Sequence, residues 1–419
     1  MKDIVSLVEE RKQELFETLS NLIKFDSQNF GSYGNEKEIS EYIRDEINKM
    51  GYVADMYSPL DIEGFTEHPD YWPGRGLENR YNVSAVIKGK DSSRRIMMAA
   101  HSDTVPIADI NNWTVDPLSG EIRDGKIWGR GACDDKYGIA AMLFIMKILK
   151  EENITPEYDV VFTSYCDEEY GGSNGALAAC LRYPCDDVIS LDCGSFKIWK
   201  LASGGGEFKV HIKSKEPVSS CALMLEGLNI VKAELDKFKE RRKADLSRHP
   251  ECLGTTIPDT ALRLMEIRAG SDGFDLDRAV IKAVFYTSQS KEEIFNEFDE
   301  MGKSLSEKLD PIGLEFVKIE MVTRFFHFGK SEFPNPAMEG ILDSGKNAAS
   351  DRDIEVIASC LSDLSIFIKY GSKRAFAFGA GRPLNAPGGS HQPNEYIECD
   401  SLVEFTKILA DFMVLKSEK

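Results

Sequence analysis

Ile96-Met97-Met98-Ala99-Ala100-His101-Ser102-Asp103-Thr104-Val105-Pro106 joins a structural signal to a chemical one. The apolar run from Ile96 to Ala100 reads as a short buried strand, and Thr104-Val105-Pro106 ends it. A strand turns alternate side chains to one face, so His101 and Asp103 point the same way. That arrangement suits a metal-ligating imidazole tuned by a neighbouring carboxylate. A histidine at a strand end is more often a surface or satisfied core residue, so the rest of the chain has to decide.

The 419 residues exceed a usual single core and predict two domains. Apolar residues make up 42% and aromatic residues 10%, a composition that builds a packed core rather than a disordered chain. The 51 basic and 70 acidic residues leave a formal net charge of -19, which argues against nucleic acid or an anionic membrane as partner. No apolar stretch reaches the ~18 residues that span a bilayer. Met1-Lys2-Asp3 leads into an amphipathic helix rather than a signal peptide. The 9 cysteines contain no Cys-x-x-Cys pair and read as reduced thiols. The expected compartment is the cytoplasm.

Helical periodicity covers about 4–25 and 35–50, with Gly51 as a natural stop. Strand-like runs follow at 83–87, 96–100, 160–165 and 188–191, and a helix at about 138–150 lies among them. This alternation predicts an α/β layered domain. In such sheets functional groups collect beyond the carboxyl ends of strands, and His101, Asp167-Glu168-Glu169 and Asp192 all follow apolar runs. Past Ser203-Gly204-Gly205-Gly206 the texture changes. Helices at about 225–243 and 291–309 interleave with strands at 279–286 and 314–322, which predicts a smaller inserted α+β domain. The α/β texture then returns with a helix at about 353–361, a strand at 375–379 and a final helix at about 401–415. The expected boundaries are 1–203, 204–324 and 325–419.

Four further segments bear on chemistry. Gly129-Arg130-Gly131-Ala132-Cys133-Asp134-Asp135-Lys136 precedes a helix, where paired acids either cap the helix or bridge two cations. Asp167-Glu168-Glu169-Tyr170-Gly171-Gly172 puts consecutive acids after a buried strand, which cations or hydrogen-bond donors must compensate unless the turn is exposed. Asp192 ends the run 188–191. Gly389-Ser390-His391-Gln392-Pro393-Asn394-Glu395 precedes the final helix. Nitrogen and oxygen donors without a cysteine cluster suit zinc, cobalt or manganese. A bridging carboxylate with a histidine and an acid on each ion builds a two-metal site, and an adjacent acid is left as general base.

With these motifs the chain resembles the dinuclear zinc family of aminoacylase, carboxypeptidase G, acetylornithine deacetylase and succinyl-diaminopimelate desuccinylase. The family's His-x-Asp-x-Val-Pro stands at 101–106, its Gly-Arg-Gly-x-x-Asp-x-Lys at 129–136 and its Asp-Glu-Glu-x-Gly-Gly at 167–172. His391 to Glu395 is close to its His-x-x-Asn-Glu, and Asn79-Arg80-Tyr81-Asn82-Val83 is similar to the deacetylase branch. The resemblance implies a zinc-exopeptidase-like α/β domain, a mixed sheet flanked by helices, interrupted by a lid. It implies two divalent ions, zinc first and cobalt or manganese otherwise. His101, Asp134 and Asp192 would hold one ion; Asp134, Glu169 and His391 would hold the other. Asp103 would orient His101, and Glu168 would act as general base toward the metal-bridged water. The implied reaction is amide hydrolysis of a small N-acyl amino acid, with a dipeptidase or carboxypeptidase as the alternative. A homodimer through the lid is the implied partner.

The insert departs from the family pattern. Val218-Ser219-Ser220 matches the stretch where the family carries a histidine, and neither His211 nor His249 sits there. Phe274 and Thr287 fall near the positions that grip the substrate carboxylate. Gly171-Gly172-Ser173-Asn174-Gly175 fits a serine-hydrolase elbow, with Asp192 and His391 following in order. The adjacent Glu168 and Glu169 oppose an oxyanion there, and a turn that starts a helix is the better reading. A non-catalytic binding protein on the same scaffold would be expected to lose ligands or base, and all are present. Glu297 and Arg324 occupy the first-glycine position before Gly302-Lys303-Ser304 and Gly329-Lys330-Ser331, so no nucleotide loop is read there.

Overall fold

A computed structural model describes residues 3–252, 259–270, 276–348 and 352–415. The chain forms two compact units. The first comprises 1–200, 330–357 and 366–419; the second comprises 201–329 and 358–365.

The first unit is built on a mixed sheet. Its strands run in the order Ala54–Tyr57, Asn82–Ile87, Tyr158–Tyr165, Asp91–His101, Asp187–Ser190, Phe376–Gly379 and Lys197–Ala202. Tyr158–Tyr165, Asp91–His101, Asp187–Ser190 and Phe376–Gly379 are mutually parallel, and the flanking pairs are antiparallel. Four carboxyl ends therefore open on one side: His101, the turn 167–169, Asp192, and the loop that carries His391. Along Asp91–His101, the residues Ile96, Met98 and Ala100 pack into the main core, while Met97 and Ala99 are buried on the opposite face.

Helix Lys136–Glu151 (Lys-Tyr-Gly-Ile-Ala-Ala-Met-Leu-Phe-Ile-Met-Lys-Ile-Leu-Lys-Glu) is apolar nearly all round and is buried from Lys136 to Met146. It packs against Lys12–Ile23 and Cys399–Val414. Gly51 ends Lys37–Lys49 with φ +80 and donates its N–H to Asn48, as its position predicts. The helix expected over 4–25 is split at Arg11 into Ile4–Glu10 and Lys12–Ile23. The Arg11 guanidinium pairs there with Glu14 and Glu151, each at 2.7 Å.

One expectation is corrected. Residues 353–361 hold no helix; they contain strand Val356–Ala358, and Glu355 accepts the Ile198 N–H at 2.9 Å. Ile354, Val356 and Ala358 alternate with polar or half-exposed neighbours, a period of two rather than 3.6. The helix lies earlier, at Pro336–Ala348, where Asn335 accepts the Met338 N–H at 3.0 Å and Pro336 opens the first turn.

The second unit is an antiparallel sheet in the order Leu262–Ala269, Arg278–Thr287, Gly204–Ser214, Leu314–Met321, with helices Ala222–Leu246 and Lys291–Leu309. Phe208, Phe238, Phe285 and Phe298 meet at centroid distances of 4.9 to 6.0 Å and form its core. Ser290 and Glu293 close a capping box on the second helix. All cysteines are free thiols. Among the described residues no helix is long and apolar enough to cross a membrane.

Candidate metal centre

His101 ends its strand fully buried. Its Nδ1 lies 2.8 Å from the backbone carbonyl of Asp103, and its Nε2 lies 3.0 Å from Asp134 Oδ1. The carbonyl fixes the ring from behind and turns Nε2 toward the acids. The Asp103 carboxylate stands 3.7 Å from Nδ1 and has further partners. It accepts the N–H of Glu168 at 3.1 Å, the N–H of Glu169 at 2.9 Å and Asn29 Nδ2 at 2.8 Å. A strand-end pair read as imidazole plus tuning carboxylate thus divides its labour between Asp103's main chain and its side chain.

Asp134 sits in the turn before helix Lys136–Glu151. Gly131 in that turn has φ +86, and a Cβ on it would lie 2.9 Å from both the Thr104 and Lys136 side chains. The next acid, Asp135, is buried and does not cap the helix with its side chain; it accepts the His101 N–H at 3.3 Å. Asp134 Oδ2 lies 3.2 Å from His391 Nε2, which is also 3.2 Å from Glu169 Oε2. Glu169 Oε1 accepts the Val105 N–H at 3.1 Å. Glu395 binds the His391 loop to the Asp134 turn: its carboxylate takes Arg130 at 2.5 Å and the Cys133 N–H at 2.9 Å.

His101, Asp134 and Glu169 present donor atoms that all lie within 4.8 Å of one another. Asp192 lies outside that trio, yet the groups feel one another. Burial pushes the Asp192 carboxyl up to about 7, with the negative charge of Asp134 adding to it. Burial disfavours a charged His391, but Glu169 and Asp134 overcome it and push its pKa up to about 12. His101 follows the same pattern: burial opposes its charge, while Asp134, Glu168 and Asp103 raise its pKa. Glu168 is half-buried.

Imidazoles and carboxylates without a thiolate form a donor set that fits a hard or borderline divalent ion, which would compensate the crowded acids. Burial and then Glu395 hold the thiol of the neighbouring Cys133 well above the usual range. Ser173 is buried with φ +54 at the start of helix Asn174–Arg182, while His391 is engaged by Asp134 and Glu169.

Behind the acids lies a buried network that the motifs did not announce. Arg80 binds Glu36 at 2.7 Å and Asp167 at 2.8 Å; Arg75 binds Asp167 at 2.8 Å. Burial lifts the Glu36 carboxyl to about 7 although Arg80 pulls the other way. Asn82 holds the Cys166 N–H at 3.1 Å and the Gly175 carbonyl at 2.8 Å. The Asn79 to Val83 segment is therefore framework around the acids. In the second unit Thr287 is buried, accepting from Arg242 at 2.7 Å and donating to Asp245 at 2.8 Å. Phe274 lies outside the described residues. Val218 is half-buried in the loop before helix Ala222–Leu246, and His211 pairs with Glu320 at 3.2 Å.

Residues 97–414 match peptidase family M20/M25/M40. The chain is 25% identical over 431 residues to an uncharacterized metallohydrolase of Methanocaldococcus jannaschii, covering 96% of this chain and 99% of that one. It is 24% identical over 456 residues to the N-formyl-4-amino-5-aminomethyl-2-methylpyrimidine deformylase of Bacillus subtilis, covering 97% and 95%. The structure of the M20 family metallo-carboxypeptidase Sso-CP2 from Sulfolobus solfataricus superposes with a TM-score of 0.71 at 17% identity, over 96% of this chain and 99% of that one. The match over most of the chain and the mixed-sheet fold agree: the chain belongs to peptidase family M20/M25/M40 and is a metal-dependent hydrolase of amide bonds.

Proposed function

We propose that this chain removes the acyl group from a small N-acylated amine or amino acid at two divalent metal ions, zinc first and cobalt or manganese otherwise. The observation that carries the reading is Asp134, whose two oxygens face two different imidazoles, His101 at 3.0 Å and His391 at 3.2 Å. A carboxylate so placed is suited to bridge two ions. In this reading His101, Asp134 and Asp192 hold one ion, and Asp134, Glu169 and His391 hold the other. Asp192 follows the strand end Asp187–Ser190, next to the strand that ends at His101. Such ions polarise an amide carbonyl and lower the pKa of water. Glu168 takes the proton from the attacking water and returns it to the leaving amine, which is general acid–base work for a carboxylate. Asp103 holds the Glu168 and Glu169 amides in place.

The full-length likeness to a deformylase favours an acyl amide over a peptide bond. The segment 79–83 adds nothing to that preference, since Arg80 and Asn82 are buried in framework contacts. In this proposal the inserted segment 204–324 is a lid and dimerisation domain, and the compartment is the cytoplasm. Turnover by the metal-reconstituted enzyme against N-formyl, N-acetyl, N-succinyl and dipeptide substrates tests it. Cleavage of an acyl amide that is lost with chelator and insensitive to serine reagents is expected. Cleavage of dipeptides alone would make the chain a dipeptidase, and absence of metal-dependent cleavage across the panel would remove the reading.

A further inference from the structure

The acids Glu168 and Glu169 sit on a turn whose ends adopt a left-handed backbone, with φ +61 at Asp167 and φ +57 at Tyr170. Non-glycine residues keep that conformation where their surroundings over-determine it. Here the surroundings are identifiable. The carboxylate of Asp103 receives both amide N–H groups of Glu168 and Glu169. The carbonyl oxygen of Glu169 receives Asn29 Nδ2 at 3.0 Å and an Arg75 terminal nitrogen at 2.7 Å. The carboxylate of Asp167 receives Arg75 Nε at 2.8 Å, Arg80 at 2.8 Å and Asn174 Nδ2 at 2.8 Å.

Arg75 grips this turn on both sides of Glu168, at the Asp167 side chain and at the Glu169 main chain. It is 5% exposed and comes from the segment between strands Ala54–Tyr57 and Asn82–Ile87, far from any metal-facing atom in sequence. A planar guanidinium offers separate N–H groups at a fixed angle to two acceptors, which a lysine ammonium cannot reproduce. The metal-facing oxygens of Glu169 are not among its contacts.

Resting on the two-metal reading above, we propose that Arg75 is a positioning residue that sets the Glu168–Glu169 turn, with Asn29 as its second anchor. Without Arg75 the turn keeps Arg80 on Asp167 and Asn29 on Glu169, so it loosens rather than unfolds. A looser turn misplaces the ligand Glu169 and the base Glu168 together. A displacement near 1 Å at a reacting group costs on the order of 100-fold in rate. Groups that orient a metal ligand are worth about 10–100-fold in metal affinity.

The test uses the full chain as wild type, Arg75→Met, Arg75→Lys and Asn29→Ala. Zinc affinity is measured by chelator competition, and kcat and KM are measured at saturating zinc on whichever panel substrate is cleaved. Arg75→Met is expected to bind zinc about 10-fold more weakly and to lose about 10–100-fold in kcat with KM within about twofold. Arg75→Lys should fail to restore either, and Asn29→Ala should fall short of Arg75→Met in the same direction. A purely structural role would lower melting temperature and leave zinc affinity and kcat of the folded fraction intact; that result overturns the proposal. Should Arg75→Met not fold, the lysine variant and Asn29→Ala decide it by the same readouts. A wild type that binds zinc but cleaves nothing in the panel sinks the acyl-amide reading, and zinc affinity then judges Arg75 alone.

Discussion

Glu168 and Glu169 are adjacent acids with different surroundings. Glu169 turns its carboxylate to His391 and Val105, whereas Glu168 enters the centre through its charge on His101. Glu168→Gln keeps shape and removes the proton acceptor, so it is expected to lower kcat by about 10²–10⁴-fold while zinc content stays unchanged. Metal analysis beside steady-state kinetics checks this, and full turnover in the variant would remove Glu168 as base. Asp134→Asn should instead lose bound metal, since both imidazoles face the same carboxylate. At this scale His101, Asp134, Glu169 and His391 were legible because each stands in a short motif at a strand or helix end. Asn29, Glu36 and Arg75 were not legible. They reach the acids across separations of 74 to 140 residues, and no local pattern marks a polar side chain that folding will bury.

The elements show how tightly the acidic turn is mounted. Helix Asn174–Arg182 approaches the end of strand Tyr158–Tyr165 so closely that a Cβ on Gly175 would lie 2.0 Å from the Cys166 carbonyl oxygen. Gly175→Ala is expected to cost about 1–3 kcal/mol, read as a lower urea midpoint. Helices Lys12–Ile23 and Lys136–Glu151 are joined by Glu14 with Lys147 at 2.5 Å. Arg11 beside Glu14 lowers its carboxyl to about 2. A carboxyl held below its ordinary 4.5 stabilises above that pH, and the benefit is lost as pH falls toward 2. The pair is partly exposed, so Glu14→Gln should cost only about 0.5 kcal/mol at pH 7. The gap in melting temperature between wild type and variant should close between pH 4.5 and 2; a gap that widens there would contradict the assignment. Periodicity locates most elements and fails over 353–361, where a short strand stands in place of the expected helix, while Asn335-Pro336 starts the helix Pro336–Ala348.

Over the whole molecule, metal binding and folding would be linked, because the proposed ligands come from separate strand ends and loops. Bound metal at a hundredfold excess over its Kd adds about 2.7 kcal/mol to stability. Exhaustive chelation is therefore expected to lower the melting temperature, and added zinc to restore it; an unchanged transition in calorimetry would argue against a metal held by these residues. The excess of acid, a net charge of -19, has no single structural outlet. Some of it is gathered at the candidate metal centre, where a divalent ion would offset it locally.

Sequence by itself determined the alternation of strands and helices, the change of texture beyond Ser203, and the acids and imidazoles at the centre. These are local properties, since strand periodicity, helix-start residues and motif spacing act over a few residues. Only the tertiary structure decided that four parallel strand ends converge, that the Asp103 carboxylate beside His101 also receives the Glu168 and Glu169 amides, and that Arg75 clamps the turn. Those are contacts between distant segments. Burying a charge demands a partner wherever the fold brings one, and which partner arrives is settled by packing.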